Sequence, residues 1–196
     1  MTYIRGNRVI LRNKTLADAH EDYVWRSDPE LSRLDDAEPL KMPLSQFLSY
    51  YEEDLNYPST ARNRFAIEDL HGKHIGNCMY YDIDLWRGET ELGIMIGDRE
   101  YWDKGYGTEA VSLLMTHIFS DARMRRIYLH TLDWNIRAQR SFQKCGFVPV
   151  KKIQRHGNTL VLMEISRESW RERNRDGLKP SSGLDASEGE LWKKTS

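Results

Sequence analysis

Residues 89–108, ETELGIMIGDREYWDKGYGT, are the most informative part of the sequence for both fold and function. It opens with a β-like run, 89–96, crosses a loop and reaches Gly105 and Gly107 where a helical pattern begins. Glycines let a backbone approach a ligand closely, and the free N–H groups at a helix start, with the helix dipole behind them, suit a phosphate. The stretch therefore predicts a strand–loop–helix phosphate site, with a plain connecting turn as the alternative.

Two other phosphate-binding signatures can be compared with this stretch. The signature G-x-x-x-x-G-K-[ST] is absent. The dinucleotide fingerprint G-x-G-x-x-G/A is formally present as Gly105, Gly107 and Ala110, and Asp133 follows the next strand. That fingerprint should follow its strand almost at once inside a repeated β-α-β unit, whereas eight residues, 97–104, intervene here. The context argues against a nicotinamide enzyme, which stays the third hypothesis.

The flanking segments predict an α/β (α+β) fold, a mixed sheet with helices on both faces. Strand and helix patterns follow one another in the order β-α-α-β-β-β-α-β-α-β-β, over segments 7–13, 15–25, 45–55, 64–68, 74–84, 89–96, 107–118, 127–132, 135–145, 147–154 and 159–165. A short last helix is predicted from 166 to about 174. The acidic segment 28–43 holds three prolines and is interpreted mostly as loop. Short turns among the three central β-like runs imply antiparallel neighbours.

Length and composition are those of one ordinary domain. The chain has 196 residues, of which 39% are hydrophobic and 30% charged, and its net charge is −1. Such a chain can bury one sizeable core, and no basic stripe indicates nucleic acid. No run approaches the roughly 20 apolar residues of a membrane helix, and residues 1–13 lack a signal-peptide pattern, so the cytoplasm is expected. We expect a domain over 1–174 and a polar tail over 175–196.

Cysteines and histidines give no metal-site pattern. Cys78 and Cys145 lie far apart and form no C-x-x-C pair, which argues against a disulfide framework and a zinc site and favours reduced, half-buried thiols. His71 and His74 are spaced H-x-x-H, but Gly72 disfavours a helix there. Both histidines are therefore interpreted as surface turn residues, and no metal is expected.

The segment 102–110, WDKGYGTEA, resembles the acetyl-CoA pyrophosphate loop of the GNAT acyltransferase superfamily. That loop is usually written Q/R-x-x-G-x-G/A, and Trp102 takes the Q/R position, as is common in the branch containing ribosomal-protein-alanine and spermidine acetyltransferases. Three further pieces look like family elements in the same chain order: RVILRNKTLAD at 8–18, ELGI at 91–94, and NIRA at 135–138 followed by KCGF at 144–147. The resemblance covers about residues 5 to 170.

The resemblance implies a GNAT fold, a mostly antiparallel sheet of about seven strands, and an N-acetyltransferase that uses acetyl-CoA. It implies that the fourth strand splays from the fifth, so that backbone groups of Ile94, Met95 and Ile96 bind the pantetheine arm. Further cofactor contacts are expected from Trp102, Lys104, Gly105, Tyr106, Gly107, Thr108, Asn135, Phe142 and Lys144. Asn135 is expected to cap its helix as well, and Lys144 reads equally as a solvated residue. The acceptor would be a small amine or a protein N-terminal amine, and a homodimer is considered.

Acetyl transfer to an amine calls for a base. A lysine-like amine has a pKa of roughly 10.4, so reaching its neutral form at pH 7 costs about 4.6 kcal/mol. The resemblance places Glu91 on the strand that lines the cleft, and Glu91 is the candidate base, acting directly or through a water. The alternative is a solvated strand glutamate. Glu89, on the same strand face, is the second choice. His130 is interpreted as a satisfied strand histidine, with a position facing the cleft as the alternative.

One position departs from the family pattern. Relatives carry a tyrosine, the general acid, seven residues after the asparagine, whereas this chain has Phe142, and the neighbouring Ser141 points about 100° away. A thiol with a pKa of about 8.5 leaves tolerably well, because expulsion as thiolate costs only about 2 kcal/mol more. A non-catalytic acyl-CoA-binding domain is the second hypothesis, and retention of Glu91 argues against it. The acidic runs at 35–38 and 52–54 either favour a cationic acceptor or form a solvated face.

Overall fold

One mixed sheet organises the chain in the computed structural model, which describes residues 2–176. Its strands are β1 Tyr3–Arg5, β2 Val9–Asn13, β3 Arg62–Asp69, β4 His74–Asp84, β5 Glu89–Ile96, β6 Arg126–Leu132, β7 Val148–Arg155 and β8 Asn158–Ser166. They lie in the order β1-β2-β3-β4-β5-β6-β8-β7, and β5–β6 is the parallel pair while the other neighbours are antiparallel. The predicted mixed, mostly antiparallel sheet is confirmed.

In the described part of the chain the sheet has eight strands rather than about seven. The additional strand is β1, which pairs with β2 over three residues. A three-residue strand is too short to show the alternation on which the sequence prediction relied. Its partner β2 begins at Val9, two residues after the predicted start, because residues 6–8 form the turn between them.

Within residues 2–176, six α-helices accompany the sheet: α1 Ala19–Ser27, α2 Pro29–Leu34, α3 Leu44–Asn56, α4 Tyr106–Ser120, α5 Ile136–Cys145 and α6 Arg167–Asp176. The prediction of a loop over 28–43 is wrong at α2. The Asp28 carboxylate accepts the Glu30 and Leu31 N–H groups at 2.9 and 3.0 Å and thereby caps this helix. Pro29 takes the first helical position, where its missing N–H costs nothing, so it starts the helix instead of breaking it.

Helices cover both faces of the sheet, as predicted. α4 supplies six buried side chains to the main core: Ala110, Val111, Leu114, Met115, Ile118 and Phe119. Cys78 of β4 joins that core, whereas the adjacent Asn77 donates to Asp22 of α1 at 2.6 Å. Neighbouring strand residues point to opposite faces, so α1 lies across the sheet from α4. Both cysteines are buried rather than half-buried, and both are free thiols.

A polar cluster lies between α1 and the sheet. Lys14 is 4% exposed, its ammonium lies 2.5 Å from the Asp22 carboxylate, and burial lowers its pKa. The Tyr51 hydroxyl of α3 donates to the same carboxylate at 2.9 Å. Because each buried charge has a partner, the cluster joins α1, α3 and the sheet without an orphaned ion.

His74 belongs to this side of the sheet, so its interpretation as a surface turn residue is wrong. It begins β4, its side chain is 8% exposed, and its ring packs on Trp25 at 4.8 Å between centroids. The strand that begins at His74 was predicted, but the burial of its first side chain results from α1 packing on the sheet, which places Trp25 against the ring. His71 is an exposed turn residue, as predicted.

The final helix runs to Asp176, and the predicted tail beyond that residue lies outside the described part of the chain. Across residues 2–176, no helix has both the length and the apolar character needed to cross a membrane. Within the same residues, no three His, Cys, Asp or Glu side chains come together as a metal site.

Candidate active site

The two central strands of the sheet diverge and open a cleft. β5 and β6 pair only over residues 89–91 and 126–128. Beyond Glu91, β5 pairs with β4 alone and β6 with β8 alone, so the edges that face each other have no strand partner. A cleft of about 610 Å³ lies at this divergence, and it is lined by β5, β6, α4 and α5. This is the splayed geometry that the resemblance leads one to expect.

The loop after β5 ends in a left-handed glycine. Gly105 has a φ of +87° and is the N-cap of α4, and residues with a side chain rarely adopt that conformation. The first helical bond runs from the Glu109 N–H to the Gly105 carbonyl at 3.0 Å. Within residues 2–176, the N–H groups of Tyr106, Gly107 and Thr108 have no protein acceptor. These donors and the helix dipole fit a pyrophosphate.

The turn between β1 and β2 holds this loop in place. The Glu109 carboxylate, in the first turn of α4, accepts the Asn7 and Arg8 N–H groups at 2.5 and 3.0 Å. The Arg8 guanidinium donates to the Lys104 carbonyl at 2.6 Å. The negative charge of Glu109 is therefore satisfied by backbone donors of the turn, away from the donors that begin the helix.

Eleven of the thirteen predicted site residues line the cleft: Glu91, Ile94, Met95, Ile96, Trp102, Gly105, Gly107, Thr108, Asn135, Phe142 and Lys144. The side chains of the other two lie elsewhere. The backbone carbonyl of Lys104 accepts a hydrogen bond from Arg8, and Tyr106 packs edge-on against Tyr101 with 4.9 Å between ring centroids. Both residues belong to the loop, but their side chains are not part of the cleft wall.

Trp102 ties the loop to the end of β5. Its indole N–H donates to the Ile96 carbonyl at 2.7 Å. The guanidinium of Arg137 lies 3.7 Å from the Trp102 ring centroid, which is a cation–π contact. Arg137 and Arg140 line the cleft with Lys144 and give that end a positive wall. Sequence analysis missed both arginines, although their spacing on the helix after Asn135 puts them on one face.

Glu91 lies where the strands part. It is 7% exposed, and its Oε1 is 2.8 Å from Nδ1 of His130. Nδ1 of His130 is satisfied by this contact, and the residue also lines the cleft. Tyr81 faces Glu91 across β4 and β5, and burial together with the Glu91 charge raises its pKa. Glu89, the second candidate, instead binds Arg126 at 2.7 Å and does not line the cleft.

The start and middle of α5 complete the wall opposite β5. The Asn135 side chain accepts the Ala138 N–H at 3.2 Å, so the predicted cap is present, and Asn135 also lines the cleft. Phe142 is buried against the cleft and brings no hydroxyl. The Ser141 and Thr108 hydroxyls lie 2.8 Å apart and join α5 to α4. Ser141 is therefore tied to the first turn of α4.

The far end of the cleft is acidic. Asp36 binds Arg155 at 3.1 Å, whereas Asp35 exposes its carboxylate to the cleft. The surrounding walls replace bulk water and raise the pKa of Asp35 to about 6. The second acidic run lies apart from the cleft, and its Asp54 binds Arg62 at 2.6 Å. Only the first run can therefore contact an acceptor.

A family model described as acetyltransferase (GNAT) domain matches residues 8–148. The chain belongs to the GNAT family. The match contains all thirteen predicted site residues, and it replaces the nicotinamide interpretation of Gly105, Gly107 and Ala110. GNAT membership makes the chain an acetyltransferase that uses acetyl-CoA, as predicted.

Individual relatives point the same way. An uncharacterized N-acetyltransferase p20 of Bacillus licheniformis is 32% identical over 130 residues, 65% of this chain and 71% of that protein. The spermine/spermidine N(1)-acetyltransferase of Bacillus subtilis is 29% identical over 99 residues, 48% of this chain and 65% of that protein. The spermidine N-acetyltransferase of Vibrio cholerae, solved with CoA and spermine, superposes with a TM-score of 0.74 at 20% identity, over 85% of this chain and 99% of that one. The two proteins therefore share the fold over most of this chain and nearly all of the other.

Proposed function

We propose that the chain transfers the acetyl group of acetyl-CoA to a primary amine of a small polycation, such as a polyamine, by direct attack in a ternary complex. The division of charge along the cleft supports this function. Arg137, Arg140 and Lys144 line the cleft along α5, with Asp103 of the loop nearby. Asp35 and Glu91 line the other end, where Arg155 is paired with Asp36. An anionic donor and a cationic acceptor would be drawn to opposite ends. The relatives named for spermine and spermidine are consistent with such an acceptor.

We assign the cationic end to CoA. The free N–H groups of 106–108 would hold the pyrophosphate, since three donors converge there at the positive end of a helix dipole. The unpaired edge of β5 at Ile94 and Met95 would bind the pantetheine arm, and one N–H there would polarise the thioester carbonyl. The Ile96 carbonyl is engaged by Trp102, so Ile96 would contribute by holding the loop. Asn135 would reach the arm from α5.

Glu91 would serve the deprotonation of the acceptor. Neutralising an amine with a pKa of about 10.4 costs about 4.6 kcal/mol at pH 7, and a nearby carboxylate offsets part of that cost. Asp35 would hold a second ammonium group of the same molecule. Two acidic groups in one cleft therefore favour an acceptor with more than one positive charge.

The leaving thiol needs no tyrosine in this scheme. Phe142 cannot donate a proton, so CoA would leave as thiolate and take its proton from water. With a thiol pKa of about 8.5, that route costs only about 2 kcal/mol more at pH 7. This cost slows turnover without abolishing it.

The direct test combines binding and turnover. Calorimetric titration with acetyl-CoA should give micromolar binding, with CoA and NAD(H) as controls. Thiol release should then be measured with spermidine, an aminoglycoside, an amino sugar, a peptide N-terminus and a neutral monoamine. We expect turnover with the polycations and little with the monoamine. Tight acetyl-CoA binding without turnover on any amine would instead favour the non-catalytic acyl-CoA-binding alternative.

A matched variant separates catalysis from binding. Glu91→Gln keeps the size of the side chain and should retain acetyl-CoA affinity while losing turnover.

A cytoplasmic location, a homodimer and the division at residue 174 stay predictions.

A further inference from the structure

A glutamate and a histidine meet on neighbouring strands where the cleft opens. Oε1 of Glu91 and Nδ1 of His130 are 2.8 Å apart. An ionised carboxylate can only accept hydrogen bonds, so Nδ1 of the neutral ring carries the proton and donates it. Nε2 is then left with a lone pair. Within residues 2–176, Nε2 has no hydrogen-bond partner, and His130 lines the cleft.

The two side chains differ in what they can reach. The Glu91 side chain is 9% exposed and that of His130 is 16% exposed. One Glu91 oxygen is engaged by His130, and Tyr81 stands opposite Glu91 with a pKa raised by burial and by that charge, so its phenol stays protonated. Both side chains line the cleft, but the carboxylate already has these two neighbours, and the imidazole is the more exposed basic group of the pair.

We propose that Nε2 of His130 takes the proton of the acceptor amine and that Glu91 orients this ring and stabilises its charged form. The inference rests on the proposed function, since it assigns the base of that same reaction. A carboxylate that fixes the tautomer of an imidazole is a known way to activate it as a base. Glu91 thereby becomes a positioning residue, and His130 the residue that contacts the substrate.

The proton balance of the reaction is complete. Nε2 accepts one proton from the ammonium of the acceptor, and the neutral nitrogen attacks the thioester carbonyl carbon. The C–N bond forms, the C–S bond breaks, and the thiolate leaves. The second nitrogen proton is lost from the tetrahedral adduct. One of the two protons ends on the thiol sulfur, and the other leaves His130 for solvent through the cleft.

An asparagine at this position separates the two possible bases. His130→Asn keeps an amide N–H that can donate to Glu91 but has no basic nitrogen. We expect kcat with spermidine to fall by about 10² to 10⁴, with unchanged acetyl-CoA affinity and melting temperature. Tyr128→Phe is the matched control, because Tyr128 packs on the His130 ring from the same strand, does not line the cleft, and should leave kcat unchanged.

Chemical rescue tests the role even if the asparagine variant folds poorly. Added imidazole should restore part of the turnover of His130→Ala, and 1-methylimidazole should restore less, because it cannot both donate to Glu91 and accept a proton. His130→Asn combined with Glu91→Gln should lose no more than the more severe single variant, since the two residues act as a unit.

Three outcomes would overturn the inference. His130→Asn could keep kcat within about threefold of the wild type, imidazole could fail to rescue His130→Ala, or the losses in the double variant could multiply. Failure of the proposed function looks different, because the wild-type protein itself would then bind acetyl-CoA without acetylating any amine.

Discussion

The indole N–H of Trp102 donates to the Ile96 carbonyl at 2.7 Å and so fastens the loop between β5 and α4 to the end of β5. The loop returns over the strand it has just left, and the same ring carries the Arg137 guanidinium at 3.7 Å. One side chain thus joins the β5 edge, the loop and α5 around the cofactor end of the cleft.

Trp102→Phe should weaken acetyl-CoA binding about fivefold. The ring can still stack with Arg137, but one hydrogen bond, worth about 1 kcal/mol, is lost and the Ile96 carbonyl is released. Trp102→Ala should weaken binding further, because it removes the cation–π contact as well. Calorimetric titration measures both. Trp86→Phe is the control, since Trp86 is 94% exposed and lies outside the cleft; equal affinity in all three variants would contradict the prediction.

Gly105→Ala should impair both stability and cofactor binding. A Cβ at φ +87° costs about 1–2 kcal/mol in the left-handed region, and any relaxation moves the N–H groups that begin α4. Gly72→Ala is a matched control, because Gly72 has a φ of +84°, open space around it and no place in the cleft. Thermal unfolding should show similar losses for the two variants, while only Gly105→Ala should raise the Kd for acetyl-CoA. Equal Kd values would argue against a role of this loop in binding.

Acceptor affinity should depend on pH through Asp35. The cleft walls displace part of the water around this carboxylate and raise its pKa to about 6, so it is charged at pH 7 and becomes neutral as the pH falls through 6. The KM for spermidine should therefore rise between pH 7 and pH 5. Asp35→Asn should raise KM about fivefold at pH 7, the effect of about 1 kcal/mol for a solvated charge pair, and should flatten this part of the profile. A variant profile parallel to that of the wild type would exclude Asp35 from the acceptor site.

Ionisation of Asp35, which favours acceptor binding, should disfavour folding. Its pKa is higher in the folded chain than the ordinary 3.8, so the neutral form favours folding below about pH 4, and that contribution is lost as the pH rises through 6. Asp35→Asn mimics the neutral form. It should raise the melting temperature at pH 8 and leave it unchanged at pH 4, which differential scanning at the two pH values can check.

Phe142→Tyr should raise kcat, by about thirtyfold at most. A hydroxyl at this cleft-lining position could protonate the leaving sulfur, and the thiolate route that it replaces costs only about 2 kcal/mol. Phe142→Leu lacks the hydroxyl and serves as the control for altered packing. Single-turnover kinetics with bound acetyl-CoA report the step directly. Equal rates in the tyrosine and leucine variants would mean that thiol departure does not limit the reaction.

The parts of the fold that sequence patterns specify locally were predicted well. The bounds 74–84 and 89–96 coincide with β4 and β5, because turn residues bound both strands. Asn135 caps α5 as expected, and Gly146 ends that helix in the left-handed conformation at φ +102°. α2 was missed because the proline at its start was counted as a breaker.

The site divides in the same way. Gly105 and the donors after it follow from a local backbone requirement, so the sequence reveals them. Glu91 and His130 are 39 positions apart in the chain, and they meet because of the register in which β5 pairs with β6. Likewise, Asp35 reaches the cleft only because α2 forms. Contacts of this kind have no signature in a single sequence.

The hydrogen bonds from the Asn7 and Arg8 N–H groups to the Glu109 carboxylate join residues about a hundred positions apart in the chain. Closing so long a loop costs entropy that only the assembled sheet can offset. The two contacts that fix the start of α4 therefore require the first and middle parts of the chain to have met. Acetyl-CoA, by binding there, should stabilise the entire domain by mass action. Cofactor affinity and the amino-terminal hairpin should accordingly be lost in one unfolding transition.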